Sequence, residues 1–224
     1  MCGRFTLTAD PNDLREAFPW LNIPQNPTPR YNVAPTQPVA VIPNDGKQTL
    51  DYYNWGLVPF WAKDPSIGSR MINARSETLM EKPSFKSAFK RKRCLIPATG
   101  FYEWKAVEGQ KTKTPMYIQL KTGKPFAFAG LWDRWESKEG STILSCTIIT
   151  TSPNELVGQI HNRMPVILNP ENYSLWLETG EPPLEKLNQL LQPYPEAEMK
   201  AYEVSRLVNK PDVDNPSLID PLVG

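Results

Sequence analysis

The sequence predicts an α+β protein of many short strands and a few short helices, organised as one domain over residues 1–224. Three observations carry this. Twenty-four prolines interrupt the chain of 224 residues, which argues for loops and short strands over a helical bundle. Segments that alternate apolar and polar residues recur between turn signals, the pattern of strands. No linker, repeat or low-complexity segment divides the chain, and 40% apolar residues with seven tryptophans suffice for one good core.

The elements follow in order. Arg4 to Thr8 alternates as a strand, and Asp10-Pro11 starts a short helix through Phe18, aspartate capping and proline at the first turn. Pro24 to Pro38 reads as irregular; Arg30-Tyr31 pairs a cation with an aromatic there, and Pro35 forbids helix. Val39 to Ile42 and Thr49 to Val58 form strands around the Asn44-Asp45-Gly46 turn. Trp55-Gly56-Leu57-Val58-Pro59-Phe60-Trp61 sets two tryptophans beside backbone breakers, as core or as a platform on which a base stacks. Met71 to Arg75 precedes Glu77 and a helix-like stretch ending at Pro83, then the basic cluster Lys86, Lys90, Arg91, Lys92 and Arg93. Cys94 to Lys105 reads as one strand, with Phe101 and Glu103 on one face and Tyr102 and Trp104 on the other. Glu103, alone among aromatics, is either an acid/base group with a raised pKa or the partner of a nearby lysine. Tyr117 to Leu120, Phe126 to Trp135 and Thr142 to Thr151 form a meander, with Cys94 and Cys146 as inert buried thiols. Ser152-Pro153-Asn154-Glu155 is a capping box whose helix runs to about Ile160 and delivers His161, the single histidine. Helices over about 171–177 and 184–191, a strand near 201–205 and a peripheral tail from Pro211 complete the chain.

Composition excludes several functions. Three scattered cysteines give neither a disulfide framework nor, with one histidine and no CxxC, a zinc site, so no metal or cofactor is expected. No signal sequence or long apolar run appears, so the expectation is a cytoplasmic monomer with no membrane partner. The net charge of +1 hides an asymmetry. Residues 86–124 carry ten Lys/Arg against Glu103 and Glu108, while residues 169–224 carry four against ten Asp/Glu. That basic stretch is either a solvated surface or a face for a polyanion.

The start of the chain, Met1-Cys2-Gly3-Arg4-Phe5, carries the most chemistry. Initiator methionine is normally removed before a small residue, and Cys2 would then hold an amine and a thiol in a 1,2 relation. Such an aminothiol condenses with an aldehyde: the amine forms an imine and the thiol closes a thiazolidine. A terminal amine, with pKa about 7.8, is free base at pH 7 in about a tenth of molecules; a lysine near 10.4 is so in roughly one of a few thousand. Position 2 is otherwise incidental.

Taken together, Met1-Cys2-Gly3-Arg4-Phe5, Tyr31-Asn32-Val33-Ala34-Pro35, Trp55-Gly56, Ile72-Asn73-Ala74-Arg75, Phe101-Tyr102-Glu103-Trp104 and Ile160-His161-Asn162-Arg163-Met164-Pro165 resemble the SOS response-associated peptidase family. The motifs stand in family order from residue 2 to about 165. The resemblance implies a barrel-like, mostly antiparallel β core and covalent attachment to abasic sites in single-stranded DNA, in a cytoplasmic protein that joins the nucleoid when bound. It also implies autocatalytic removal of Met1, hence the name peptidase. Cys2 is the implied nucleophile, Asn73 orients the terminal residue, Glu103 is the acid/base carboxylate, and His161 assists ring opening and proton transfer. Arg4, Arg75 and Arg163 match phosphate-holding positions, and Trp61 and Thr150 align with DNA contacts. Asn162 departs from the family, where aspartate is common. A cysteine peptidase using Cys2, His161 and Asn73, and a DNA-binding module without a covalent step, are the competing readings.

Overall fold

The computed structural model describes residues 2–109 and 111–222. Its first half runs β1 (Phe5–Leu7), α1 (Pro11–Ala17), β2 (Arg30–Val33), β3 (Pro38–Pro43), β4 (Asp51–Trp55), β5 (Asn73–Arg75) and α2 (Pro83–Arg91). Then follow β6 (Arg93–Ala98), β7 (Gly100–Lys105), β8 (Thr114–Leu120), β9 (Phe126–Glu136), β10 (Thr142–Thr151) and α3 (Glu155–Gly158). The chain ends with β11 (Met164–Pro165), β12 (Ile167–Leu168), α4 (Tyr173–Trp176), α5 (Leu184–Gln189) and β13 (Met199–Glu203).

The strands form two sheets. In the larger one, β4, β3, β6, β9 and β10 pair in that order, and β10 returns to pair with β4, closing a five-stranded barrel. Closure removes the sheet edges that would otherwise invite aggregation. The second sheet, in order β13-β8-β7-β1-β2, is antiparallel throughout. The α+β class and the barrel-like, mostly antiparallel core expected from the sequence are both present.

Alternation along the barrel strands decides which core each residue joins. Cys94, Ile96, Phe128, Cys146 and Ile148 face the second sheet and pack with Phe5 and Phe101. Leu95, Ala127, Ala129, Leu131 and Ile149 face outward and are covered by Leu14, Phe18, Phe89, Trp176 and Leu187 from the helices. Because β6 and β9 are buried on both faces, they read in sequence as nearly continuous apolar runs.

Several elements differ from the sequence expectation. Cys94 to Lys105 is two strands, and Thr99 marks the crossing from barrel to second sheet. The Thr99 hydroxyl bridges those of Thr6 and Thr8 at 2.9 and 3.0 Å, and a Cβ at Gly100 would lie 2.3 Å from the Tyr117 ring. The expected meander is broken for the same reason: β8 pairs with β7 and β13, while β9 and β10 stay in the barrel. Arg30 to Val33, expected irregular, is an edge strand on β1. Pro83 opens α2 instead of ending a helix, as a residue with no N–H to donate can at the first turn. The cap of α3 is Asn154, whose side chain accepts from the Val157 N–H at 2.9 Å, and not Ser152. The segment beyond Pro211, expected at the periphery, buries Leu218 and ties Asp214 to Arg30.

Arg93 locks α2 and α4 onto the barrel. Fully buried, its guanidinium donates to the carbonyls of Phe89 and Lys90 at the end of α2 and of Trp176 at the end of α4, at 3.1, 2.6 and 2.9 Å. Burial pushes its pKa down to about 10. Arg93→Met would leave those helix-end carbonyls buried without donors, so a loss of about 2 kcal/mol is expected. In a chain of this size that lowers Tm by about 4–8 °C in a thermal melt; an unchanged Tm would show that water replaces the guanidinium without loss.

Candidate functional site

Four expected site residues converge from four elements. Cys2 precedes β1, Asn73 begins β5, Glu103 lies in β7, and His161 follows α3. β1 runs antiparallel to β7 with Phe5 opposite Phe101, and the Tyr102 N–H donates to the Arg4 carbonyl at 2.9 Å. Continued by two residues, this register draws Cys2 and Gly3 alongside Glu103 and Trp104. Met1, whose removal the sequence predicts, lies outside the described residues.

Asn73 fixes the terminal segment. Its Nδ2 donates to the Cys2 carbonyl at 2.8 Å, whereas its Oδ1 is buried with no hydrogen-bond partner among the described residues. Asn73 reaches this place because β5 is laid parallel to β10, with Asn73 opposite Ile148. The excursion between β4 and β5 returns there through a close backbone approach: a Cβ at Gly56, φ +138°, would lie 2.5 Å from the Gly68 carbonyl oxygen. That contact is why glycine follows Trp55. Trp55 itself is core, its indole N–H donating to the Ile72 carbonyl at 2.8 Å, so only Trp61 of the two tryptophans is exposed.

Cys2 and Glu103 are both withdrawn from solvent. Burial raises the Glu103 carboxyl above its ordinary value. Burial, with the Glu103 charge second, raises the Cys2 thiol. The Cys2 Sγ sits 4.0 Å from the Arg4 carbonyl oxygen, a long and weak contact. His161 Nε2 lies 4.0 Å from Glu103 Oε2, beyond direct hydrogen-bond length. Its Nδ1 lies 3.1 Å from the Arg163 nitrogen, from which it accepts when the proton is on Nε2, and 3.3 Å from the Arg163 carbonyl oxygen, to which it donates when the proton is on Nδ1. Burial lowers the pKa of His161 and favours the neutral ring. The group thus combines an ordered cysteine backbone, a carboxyl whose pKa burial raises, and an imidazole nitrogen 4.0 Å from that carboxyl.

The expected DNA contacts divide. Arg75 is exposed and, among the described residues, its side chain makes no hydrogen bond or ion pair. Arg4 donates to Asn32 Oδ1 at 2.7 Å and to the Val208 carbonyl at 2.8 Å, anchoring the strand beside β2. Arg163 grips Glu77 through two bonds of 2.5 and 3.0 Å and donates to the Thr150 carbonyl at 2.6 Å. This fork holds the Glu77 carboxyl below its usual range. Thr150 is fully buried in β10, and Trp61 is 47% exposed beside Phe60 at 55%. The sequence reading missed Glu77 as the partner of Arg163 and Asn32 as the seat of Arg4. No local spacing marks either pair, since 86 and 28 residues separate the partners.

Comparison with known proteins agrees with this architecture. The profile described as SOS response associated peptidase (SRAP) matches residues 1–211. The chain is 51% identical over 226 residues to the "Abasic site processing protein YoqW" of Bacillus subtilis (strain 168), covering 98% of this chain and 99% of that protein. It is 30% identical to the "Abasic site processing protein HMCES" of Xenopus tropicalis, over all of this chain and 79% of that one. A crystal structure of a Bacteroides thetaiotaomicron protein superposes with a TM-score of 0.84 at 28% identity, covering 99% of this chain and 100% of the other. With fold, motif order and profile in agreement over nearly its whole length, this chain belongs to the SOS response associated peptidase family.

Proposed function

We propose that this protein processes abasic sites in single-stranded DNA by linking Cys2 covalently to the damaged sugar. The observation that carries the reading is the hold of Asn73 on the Cys2 carbonyl beside the buried Glu103 carboxyl. An abasic deoxyribose is mostly a closed hemiacetal, unreactive toward amines. The Glu103 carboxyl, its pKa raised by burial, donates its proton to the ring oxygen while the 1-hydroxyl gives its proton to water, and the aldehyde opens. The α-amine of Cys2, exposed once Met1 is removed autocatalytically or by an aminopeptidase, adds to C1′, and one water leaves as the imine forms. The thiol then adds to the same carbon, its proton passing by way of the Glu103 carboxylate to the ring nitrogen. C1′ ends bonded to nitrogen and sulfur, and the imine that would promote strand scission is consumed. The buried Asn73 Oδ1, which has no hydrogen-bond partner among the described residues, serves in this reading as an acceptor for the freed amine.

The arrangement speaks against a peptidase relay on other proteins. In a Cys-His-Asn relay the asparagine orients the histidine; here Asn73 donates to Cys2 and His161 faces Glu103. Arginine contacts to phosphate carry no sequence information, so binding is salt-dependent and largely sequence-independent.

Intact-mass spectrometry of the protein incubated with an abasic oligonucleotide tests the chemistry. The expected adduct has the mass of the chain without Met1 plus the oligonucleotide less one water. An adduct that retains Met1, or is blocked at the Cys2 nitrogen, would exclude the aminothiol mechanism.

A further inference from the structure

We infer that the groove between the Phe60-Trp61 turn and α2 is a second subsite, which takes a nucleobase and its phosphates from the strand flanking the reacting site. The inference rests on the proposed reading that single-stranded DNA is the substrate. It extends beyond Trp61 to residues that the reaction does not use.

The groove has a volume of about 340 Å³ and is walled by Phe60, Trp61, Pro83, Lys86, Lys90 and Arg91. Among the described residues no carboxylate lines it. Exposed aromatic rings are ordinarily mobile or incidental, but Phe60 is held from beneath. Asp133, 3% exposed on β9, accepts the Phe60 N–H at 2.9 Å and the Lys92 ammonium at 2.5 Å. Lys92 in turn stands 5.8 Å from the centre of the Phe60 ring and 5.6 Å from that of Trp132. A buried carboxylate, a cation and two rings therefore fix an apolar surface that the fold leaves open to solvent. Arg91 is engaged by Glu181 at 2.6 Å, which leaves Lys86 and Lys90 as the ammonium groups at the rim.

A ring face flanked by ammonium groups matches the base and phosphates of a single strand, because any base can stack and any phosphate can pair. A duplex hides its base faces and offers phosphates alone. In the chain, residues 76–82 connect exposed Arg75 to Pro83 at the groove wall.

Fluorescence anisotropy with a labelled, undamaged oligothymidylate of about 15 nucleotides, long enough to span site and groove, tests the inference. Phe60→Ala is expected to weaken binding about tenfold, and Phe60→Trp to restore it. Lys86→Ala with Lys90→Ala is expected to make the slope of log affinity against log salt shallower by about 1.4, the loss of two single-strand phosphate contacts. Unchanged affinity and slope in both variants, or tighter capture of a duplex of equal length, would overturn the inference. The wild-type adduct with an abasic oligonucleotide is scored separately; its absence would defeat the proposed reaction and leave the groove test, made on undamaged DNA, standing.

Discussion

The Cys2→Ala variant is expected to form no heat-stable adduct with abasic single-stranded DNA, while its affinity for that DNA stays within about tenfold of wild type. Alanine keeps the α-amine and the backbone carbonyl that Asn73 holds. It therefore still forms an imine, but without sulfur the ring cannot close, and the imine hydrolyses or eliminates on heating. Phosphate contacts supply most of the affinity and none comes from the thiol, which is buried. A denaturing gel reads the result directly: one shifted band for wild type and none for Cys2→Ala. A stable band in the variant would show that the link does not need the thiol and remove thiazolidine closure from the mechanism.

Glu103→Gln is expected to slow adduct formation about 10³-fold, within the range by which a positioned acid or base accelerates proton transfer. Glutamine preserves the shape of the side chain and cannot give up a proton to the ring oxygen. The pH profile separates this role from a structural one. Two limbs are expected, one for ionisation of the Glu103 carboxyl, whose pKa burial raises, and one for the α-amine, whose pKa is near 7.8 when unperturbed. The Gln variant should keep the amine limb and lose the one belonging to the carboxyl. Burial lowers the pKa of His161, so its ring stays neutral to lower pH than a free histidine. A Glu103→Gln rate equal to wild type, with both limbs intact, would assign ring opening to another group.

Much of the site was legible because its chemistry is local. A cysteine at position 2, a carboxylate among aromatics and a lone histidine at a helix end stand out by residue type. The burial of Cys94 and Cys146 also follows from the apolar strands around them. Other features depend on partners far apart in sequence. Thr99 turns the chain from one sheet into the other, and nothing in an alternating run of residues marks which strand it will pair with. Pro83 illustrates the ambiguity of a single signal, since proline both ends one helix and begins the next.

By itself, the sequence determined the α+β class and the strand-rich composition, because these depend on residue type and short-range periodicity, and its motifs named the groups proposed to react. Only the tertiary structure decided that the barrel closes through β10, that Asn73 holds Cys2, that Glu77 occupies Arg163, and that Asp133 steadies Phe60. Those outcomes are pairings across long stretches of chain. They are selected by packing and by the need of each buried polar group for a partner, which no window of neighbouring residues contains.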